Sequence, residues 1–172
     1  TFVDLQKAYE AMDRERCLKI LEEYGVGPNM LGLIRYFWDY AEMVCRAGGC
    51  FGKPFKAYRG ITQGGPMSPC VFNFMVDAIV REWLRQVLGP EAARTGYGDA
   101  VRSFLACFYA DDGFIGARCP QMKQESVDIL VDLFERVGLQ TNTIKTKCMT
   151  CVPGKIRTRL CFSRVASATA TT

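Results

Sequence analysis

The sequence predicts an α+β fold in which an antiparallel sheet is backed by helices on one face. Two β-prone runs support this prediction, residues 1–5 and residues 104–117, together with four amphipathic stretches at helical spacing. The order of strand, helices, hairpin, helix and strand is typical of such a sheet. With 172 residues, of which 49% are hydrophobic and 23% are charged, the chain has the composition of one globular domain with a core.

The first third of the chain predicts one strand and two helices. Residues 1–5 are β-prone, and Asp4 lies between two apolar residues, where it either faces water at a strand end or serves as a metal-binding carboxylate. Asp13 is a plausible N-cap for a helix that reaches Tyr24, and Pro28 begins a second helix. We interpret the apolar stripe of this second helix as core: Leu31, Leu33, Ile34, Phe37, Trp38 and Ala41.

Residues 41–61 predict a β-hairpin around a glycine-rich middle. Lys53, Lys56 and Arg59 make it locally basic, which indicates either a solvated face or a surface that contacts phosphate. The loop of residues 59–69 alternates glycine and proline with small hydroxyl residues, and Gly64 and Gly65 allow the backbone to approach a ligand closely. It is either an anion site at a helix N-terminus or an ordinary loop.

A long helix over residues 69–88 follows this loop, with seven apolar positions at core spacing: Phe72, Met75, Val76, Ile79, Val80, Trp83 and Val87. Residues 92–102 are a polar connector. A last helix begins at Pro120 and ends near Gly138, and residues 139–152 predict a turn and a strand on which Lys145 projects. Cys148 and Cys151 form a lone Cys-x-x-Cys with Cys161 further along the chain, and a fourth zinc ligand is not evident.

Asp111 and Asp112 lie between two apolar, aromatic-rich runs, which predicts a tight hairpin with the acids at its tip. At about 4 Å and an effective dielectric constant of about 20, two such charges repel by about 4 kcal/mol. A hard cation such as Mg²⁺ or Mn²⁺ relieves that repulsion and suits oxygen ligands. The alternative is a polar Asp-Gly turn. Antiparallel pairing of the first strand with this hairpin would bring Asp4 beside Asp111.

Composition excludes several function classes. The chain has no histidine, so histidine acid–base chemistry and most zinc-hydrolase sites are excluded. Nine scattered cysteines favour a reducing, intracellular compartment over a disulfide scaffold, without distinguishing cytoplasm from nucleus. A net charge of +4 argues only weakly for a polyanionic partner, and no apolar run is long enough to span a membrane. We expect the chain to be a fragment of a larger protein.

Four motifs in order resemble the palm of a reverse transcriptase, of the type found in non-LTR retrotransposons and group II introns. They are Phe-Val-Asp-Leu-Gln-Lys-Ala-Tyr at residues 2–9, Arg-Gly-Ile-Thr-Gln-Gly-Gly-Pro-Met-Ser-Pro at 59–69, Phe-Tyr-Ala-Asp-Asp at 108–112 and Gly-Leu-Gln-Thr-Asn-Thr-Ile-Lys-Thr at 138–146. The resemblance covers residues 1–153, a palm with part of the fingers and a ferredoxin-like, RRM-like core. Residues 154–172 are expected to be an unassigned tail that is either disordered or outside the family.

The resemblance implies an RNA-directed DNA polymerase that transfers nucleotides from dNTPs to a primer 3′-hydroxyl by two-metal catalysis. It implies that Asp4 and Asp111 bind two Mg²⁺ ions, or Mn²⁺, with Asp112 assisting. Lys145 corresponds to a proton donor to pyrophosphate, with an ordinary surface lysine as the alternative. The remaining implied residues contact the nucleotide or the template–primer: Tyr9, which would screen the sugar, Gln63, Gly64, Gly65, Pro66 and Ser68.

The implied partners are an RNA template, a DNA primer, dNTPs and the fingers and thumb segments of a parent polyprotein, without a membrane. Glu10 departs from the family pattern, which more often has Asp there. Three alternatives remain open. They are a viral RNA-directed RNA polymerase, which Tyr9 and the Tyr-Ala-Asp-Asp box disfavour, a catalytically inactive retroelement fragment, and a nucleic-acid-binding relic. Without fingers and thumb, the apolar faces of the helices that begin near Pro28 and Pro69 are expected to be exposed.

Overall fold

The computed structural model describes residues 1–89, 104–117, 120–152 and 155–159. The chain divides into two compact units, which are taken separately: Thr1–Gln6 with Ile79–Thr172, and Lys7–Ala78. The described residues form a mixed α/β structure with an antiparallel sheet, as predicted, and five helices, one more than the sequence predicted. The predicted connector at residues 92–102 and Cys161 lie outside the described residues.

The first unit contains a four-stranded antiparallel sheet in the order β6-β7-β1-β8. Its strands are β1 (Phe2–Gln6), β6 (Phe104–Tyr109), β7 (Asp112–Ala117) and β8 (Gln140–Thr141). Val3 and Leu5 of β1 are buried whereas Phe2 and Gln6 are exposed, so alternate residues face opposite sides. A separate hairpin pairs β9 (Cys148–Val152) with β10 (Lys155–Arg159), and β10 lies in the segment for which the sequence predicted no element.

Helix α5 (Pro120–Arg136) supplies much of the core of this unit. Val127, Leu130 and Phe134 recur at helical spacing and are buried. The Phe108 ring of β6 lies 6.2 Å from the Phe134 ring, measured between centroids. Part of α4 (Ser68–Leu88) also belongs here, and its buried Trp83 donates a hydrogen bond of 2.7 Å to the carbonyl of Ser126. These contacts bury one face of the sheet. The other face, which carries Asp4 of β1, stays open.

The second unit combines α1 (Ala8–Ala11), α2 (Arg14–Glu23), α3 (Pro28–Tyr40) and residues 68–78 of α4. Asp13 caps α2 as predicted, because its carboxylate accepts a hydrogen bond of 3.1 Å from the Arg16 backbone N–H. The sequence did not predict α1, a single turn that follows Lys7 in the left-handed region (φ 45°). The buried residues of this unit include Met12, Cys17, Leu18, Leu21, Ile61, Phe72, Met75 and Val76.

The predicted hairpin at residues 41–61 is confirmed. It forms a two-stranded ribbon over residues 42–56, in which β2 (Glu42–Met43) pairs with β5 (Phe55–Lys56) and β3 (Arg46–Ala47) pairs with β4 (Cys50–Phe51). The Gly52 N–H donates to the Cys45 carbonyl at 2.8 Å and joins the two pairs. Every residue of the ribbon is exposed.

The interpretation of the α3 stripe as core is wrong for most of its residues. Ile34 is buried, but Leu33 is 44% and Phe37 is 52% exposed, because only part of the stripe faces the described core of this unit. The expectation of exposed apolar helix faces is therefore confirmed for α3. It is wrong for α4, whose apolar residues pack inward and are buried: Phe72, Met75, Val76, Ile79, Val80 and Trp83. Among the described residues, no helix combines the length and apolar character needed to cross a membrane.

Candidate active site

The carboxylates predicted as metal ligands lie on adjacent strands of the first unit. Asp4 is the register partner of Asp112 on β7, and Asp112 is in turn the partner of Tyr109 on β6. Ala110 and Asp111 form the two-residue turn between β6 and β7. The predicted hairpin is confirmed, but Asp4 stands opposite Asp112 rather than Asp111. The reason is that the turn uses Asp111, so Asp112 is the first residue able to pair.

The pairing of Asp4 with Asp112 is of the kind that brings side chains closest. The backbones of Thr1 and Ile115 exchange both hydrogen bonds, at 2.5 Å and 2.8 Å. Hydrogen-bonded and non-hydrogen-bonded pairs alternate along an antiparallel ladder, so Asp4 and Asp112 form a non-hydrogen-bonded pair. The side chains of such pairs project from one face and stand closer together than those of hydrogen-bonded pairs.

That face of the sheet, here called the open face, carries Phe2, Asp4, Cys107, Tyr109, Asp112 and Phe114. The Phe2 and Phe114 rings meet edge to face with centroids 5.1 Å apart, one pair along from the two acids. Tyr109 is 85% exposed, and Cys107 and Asp112 are also exposed. The opposite face holds Val3, Leu5 and Ile115, which are all buried. The acids therefore lie on the accessible side of a sheet whose other side is core.

The backbone of Asp4 forms its hydrogen bonds on the side of β1 that faces away from β7. Its N–H donates to the Thr146 hydroxyl at 3.2 Å, and its carbonyl accepts from the Asn142 N–H at 2.7 Å. The Asn142 side chain accepts from the N–H groups of Ile144 and Lys145, both at 3.2 Å, which closes a tight turn. This turn sets Lys145 Nζ 3.8 Å from Asp4 Oδ1. Lys145 thus lies beside the Asp4 carboxylate, although the two residues are far apart in the sequence.

Two backbone features shape the turn that carries Asp111. Ala110 has φ 52°, a left-handed conformation that is costly for a residue with a Cβ and is usual at the first central position of a type II′ turn. The Phe108 ring lies directly over Gly113, so close that a Cβ on Gly113 would overlap the ring. The absence of a side chain at Gly113 thus lets the ring close over the strand next to Asp112.

The three predicted metal ligands are not assembled around one point. Within the part of the chain that the structure describes, no three Cys, Asp or Glu side chains lie close enough together to hold one ion. Asp4 and Asp112 are brought together, and Asp111 lies on the adjoining turn. Paired carboxylates are nevertheless the donor set that suits a hard divalent cation, and Lys145 Nζ lies 3.8 Å from Asp4 Oδ1.

The residues predicted to contact the nucleotide belong to the second unit. Tyr9 is half-buried, and its ring stacks on the buried Phe72 ring with centroids 4.7 Å apart and planes 13° apart. One face of the Tyr9 ring therefore has a structural role in packing. Its backbone carbonyl accepts from the Ile61 N–H at 2.8 Å, which fixes the start of the glycine loop.

The glycine loop itself is exposed at Gln63, Gly64 and Pro66. The Gln63 side chain donates to Glu10 Oε1 at 2.9 Å. Gly64 has φ 81° with open space around it, whereas a Cβ on Gly65 would lie 2.8 Å from Ser68 Oγ. Ser68 is buried, and its hydroxyl donates to the Thr62 carbonyl at 2.7 Å, so in this structure it closes the loop.

Sequence reasoning missed three residues that position others. Thr146 holds the Asp4 amide, Asn142 shapes the turn before Lys145, and Glu10 accepts from Gln63. The preference of asparagine for bonding the backbone two and three residues onward is a signal that could have identified Asn142. Nothing local marks Thr146, since its partner is distant in sequence.

Comparisons with known proteins identify a family and two relatives with similar sequences. The family model described as "Reverse transcriptase (RNA-dependent DNA polymerase)" matches residues 1–167. The chain is 25% identical over 148 residues to the Retrovirus-related Pol polyprotein from type-2 retrotransposable element R2DM of Drosophila melanogaster, which covers 86% of this chain and 13% of that polyprotein. It is 24% identical over 151 residues to the Retrovirus-related Pol polyprotein from type-1 retrotransposable element R2 of Nasonia vitripennis, covering 88% of this chain and 14% of that polyprotein.

Proposed function

Because the chain belongs to the reverse transcriptase (RNA-dependent DNA polymerase) family, we propose that it is the palm segment of a retroelement polymerase that copies RNA into DNA. The reaction joins a dNTP to a primer 3′-hydroxyl with release of pyrophosphate. The observation that supports this proposal most is the Asp4–Asp112 pair on the open face of the sheet, beside Asp111. The proposal includes a ferredoxin-like palm core and the bounds 1–153 for the palm.

Members of this family use divalent metal ions, and we infer two Mg²⁺ ions, replaceable by Mn²⁺, at the open face. Asp4, Asp111 and Asp112 would hold them, because their oxygens are the ligands that such ions prefer. Bound there, the ions supply activation of the attacking hydroxyl and stabilisation of the negative charge that develops on phosphate oxygens.

Lys145 is proposed as the residue that handles the proton of the departing pyrophosphate. Its side chain is 69% exposed, so its amine can reach a ligand on the open face, and its backbone is fixed by Asn142. Positioned general acids contribute about 10²–10⁴-fold to rate. The 3.8 Å ion pair with Asp4 keeps the ammonium near the reacting groups.

In the second unit, Tyr9, Gln63, Gly64, Gly65, Pro66 and Ser68 are proposed to contact nucleotide or template–primer. The exposure of Gln63, Gly64 and Pro66 supports direct contact. Tyr9 is proposed to select the sugar, since stacking on Phe72 holds its ring in one orientation. The buried Ser68 is proposed to act by shaping the loop. The chain spans 13% and 14% of the two polyproteins, so fingers and thumb segments of a longer protein are proposed partners.

Primer extension tests the proposal with the longest reading frame that contains this chain. The assay supplies an RNA template, a DNA primer, dNTPs and Mg²⁺, and compares the natural sequence with Asp111→Ala. Extension that is lost in the variant and on chelation of the metal is the expected result. Lys145→Gln is expected to slow single-turnover extension by about 10²-fold.

Absence of extension by the natural sequence, or extension that survives Asp111→Ala, would overturn the proposal. The chain would then be a catalytically inactive retroelement fragment or a nucleic-acid-binding relic. Lys19→Gln serves as a matched control, because it also removes one exposed positive charge but lies on α2.

A further inference from the structure

Glu10 of α1 lies against the start of the glycine loop. The Ile61 N–H donates to the Tyr9 carbonyl at 2.8 Å, and the Gly60 N–H donates to the Met12 carbonyl at 2.9 Å. A Cβ on Gly60 would lie 2.6 Å from the Glu10 Cα, so a residue without a side chain is needed for the two backbones to approach this closely. Backbone contacts on both sides of Glu10 therefore hold α1 and the loop together within one compact unit.

The side chains of Glu10 and Gln63 are joined next to this contact. Gln63 Nε2 donates to Glu10 Oε1 at 2.9 Å, and both residues are exposed. A carboxylate offers only hydrogen-bond acceptors, whereas an amide has a donor end and an acceptor end. The Glu10 carboxylate therefore fixes the orientation of the amide, with the amino group of Gln63 towards Glu10 and the carbonyl oxygen directed away.

This pair is free of competing partners. Within the described ranges, Glu10 forms no salt bridge, and the Gln63 carbonyl oxygen accepts no hydrogen bond from the protein. An exposed glutamine without such a neighbour rotates freely, and a ligand that binds it must order the side chain at a cost in affinity. Glu10 supplies that order before any ligand arrives.

The carbonyl oxygen of Gln63 complements a hydrogen-bond donor. The loop beside it is open, because nothing lies within 4 Å of the Cβ position of Gly64. Tyr9, which is proposed to select the sugar, directly precedes Glu10 in α1. Its carbonyl is bonded to Ile61, two residues before Gln63. This continuity favours the incoming nucleotide over the template strand as the molecule that supplies the donor.

We propose that Glu10 is a positioning residue for nucleotide binding, which holds the Gln63 amide so that its carbonyl oxygen accepts a hydrogen bond from the incoming dNTP. The inference rests on the proposed polymerase function, and it assigns to Glu10 no contact with the nucleotide itself. An oriented acceptor acts equally before and during the reaction, so its effect is on the affinity for dNTP and not on the rate at saturation.

Single-turnover primer extension at varied dNTP concentration tests this role in the longest reading frame that contains the chain. Glu10→Ala is expected to raise the dNTP concentration for half-maximal rate by about three- to tenfold, the cost of ordering one freed side chain. The maximal rate should stay within about twofold, because loss of uniform binding leaves it unchanged. Glu23→Ala is the matched control and should behave like the natural sequence, since it removes an exposed carboxylate from α2 of the same unit.

Further variants show whether Glu10 acts through Gln63. Gln63→Ala should weaken dNTP binding at least as much as Glu10→Ala, and adding Glu10→Ala to it should cause no further loss. Gln63→Glu sets two carboxylates against each other and should also weaken binding. Combining it with Glu10→Gln restores one donor and one acceptor and still presents an oxygen at position 63. This exchanged pair should recover dNTP affinity relative to Gln63→Glu alone, and thermal unfolding verifies that every variant is folded.

Four outcomes would overturn the proposal in a protein that extends primers. They are unchanged dNTP affinity in Glu10→Ala, a lower maximal rate at unchanged affinity, additive losses when Glu10→Ala is combined with Gln63→Ala, and no recovery in the exchanged pair. Each of them leaves the polymerase function intact, because extension by the natural sequence and its loss in Asp111→Ala are measured in the same assay. Absence of extension by the natural sequence overturns that function, and with it the role of Glu10.

Discussion

The open face of the four-stranded sheet and the ribbon are both antiparallel strands with exposed polar and aromatic side chains, but only the first has a buried reverse side. Val3, Leu5 and Ile115 behind the open face are at most 4% exposed. Residues 42–56 of the ribbon are exposed throughout. Neighbouring strands and a core fix the carboxylates in position, whereas the ribbon is fixed mainly by its own ladder.

Because only the open face has a buried reverse side, the two surfaces are suited to different functions. Chemistry needs groups held within a fraction of an ångström, which a packed and hydrogen-bonded scaffold supplies. Residues 42–56 of the ribbon are all exposed, so no core holds their side chains in this way. We therefore expect substitutions at the open face to change rate or stability sharply, and substitutions on the ribbon to change stability little.

The largest expected effect is on catalysis at the open face. Asp112→Asn removes one of the two facing charges and is expected to lower the single-turnover rate of primer extension by roughly 10²–10³-fold. The melting temperature should stay equal or rise, because a repulsive pair is relieved. Lys19→Gln serves as the control. Full activity in Asp112→Asn together with loss in Asp111→Ala would show that the cross-strand pair is not the functional one.

A pair of glycine substitutions sharpens the contrast in stability. Gly113→Ala places a Cβ in the space of the Phe108 ring, whose displacement is expected to cost about 1–3 kcal/mol of unfolding free energy. Gly52→Ala on the ribbon meets its nearest neighbour at 3.5 Å, an ordinary contact, and should stay within about 0.5 kcal/mol. Urea unfolding measures both, and equal losses would contradict the distinction.

A third contrast concerns cysteines inside and outside the core. Burial, with a smaller contribution from Asp13, raises the pKa of the Cys17 thiol from 9.0 to about 12. Above pH 9 the unfolded chain releases this proton while the folded chain keeps it, so stability falls as pH rises between these two values. The contribution is about 1.4 kcal/mol per pH unit.

Urea unfolding of the natural sequence and of Cys17→Ala at pH 8 and pH 10 measures this contribution. The natural sequence should lose more stability than the variant, whereas Cys45→Ala on the exposed ribbon should behave like the natural sequence. An identical pH dependence in all three proteins would show that Cys17 does not titrate as its burial predicts.

The smallest expected effect compares two buried threonines beside β1. Thr146→Val removes the hydroxyl that accepts from the Asp4 N–H and should cost about 1 kcal/mol. The Thr141 hydroxyl is buried and, among the described residues, has no hydrogen-bond partner. Thr141→Val should therefore be neutral or stabilising. Thermal unfolding ranks the two variants, and the reverse order would argue against the part assigned to Thr146.

The predictable parts of this fold were those with local signals. Two apolar, aromatic-rich runs on either side of Asp111 and Asp112 predicted the hairpin, and Asp13 predicted the start of α2. The position of the turn was less predictable, because Ala110 adopts a left-handed conformation that its side chain disfavours. The proximity of Lys145 to Asp4 depends on pairing between distant segments, which periodicity does not encode. The exposure of Phe37 depends on which segments pack against α3, and the sequence of α3 does not indicate them.

The backbone of Asp4 has a consequence for hydrogen exchange. Its amide proton is directed at the Thr146 hydroxyl, away from β7, and its carbonyl accepts from Asn142. Solvent reaches that proton only when the turn of residues 142–147 separates from β1, and this opening also takes Lys145 from the carboxylate. The exchange rate of this amide therefore reports how often the turn of residues 142–147 opens, in the absence of any substrate.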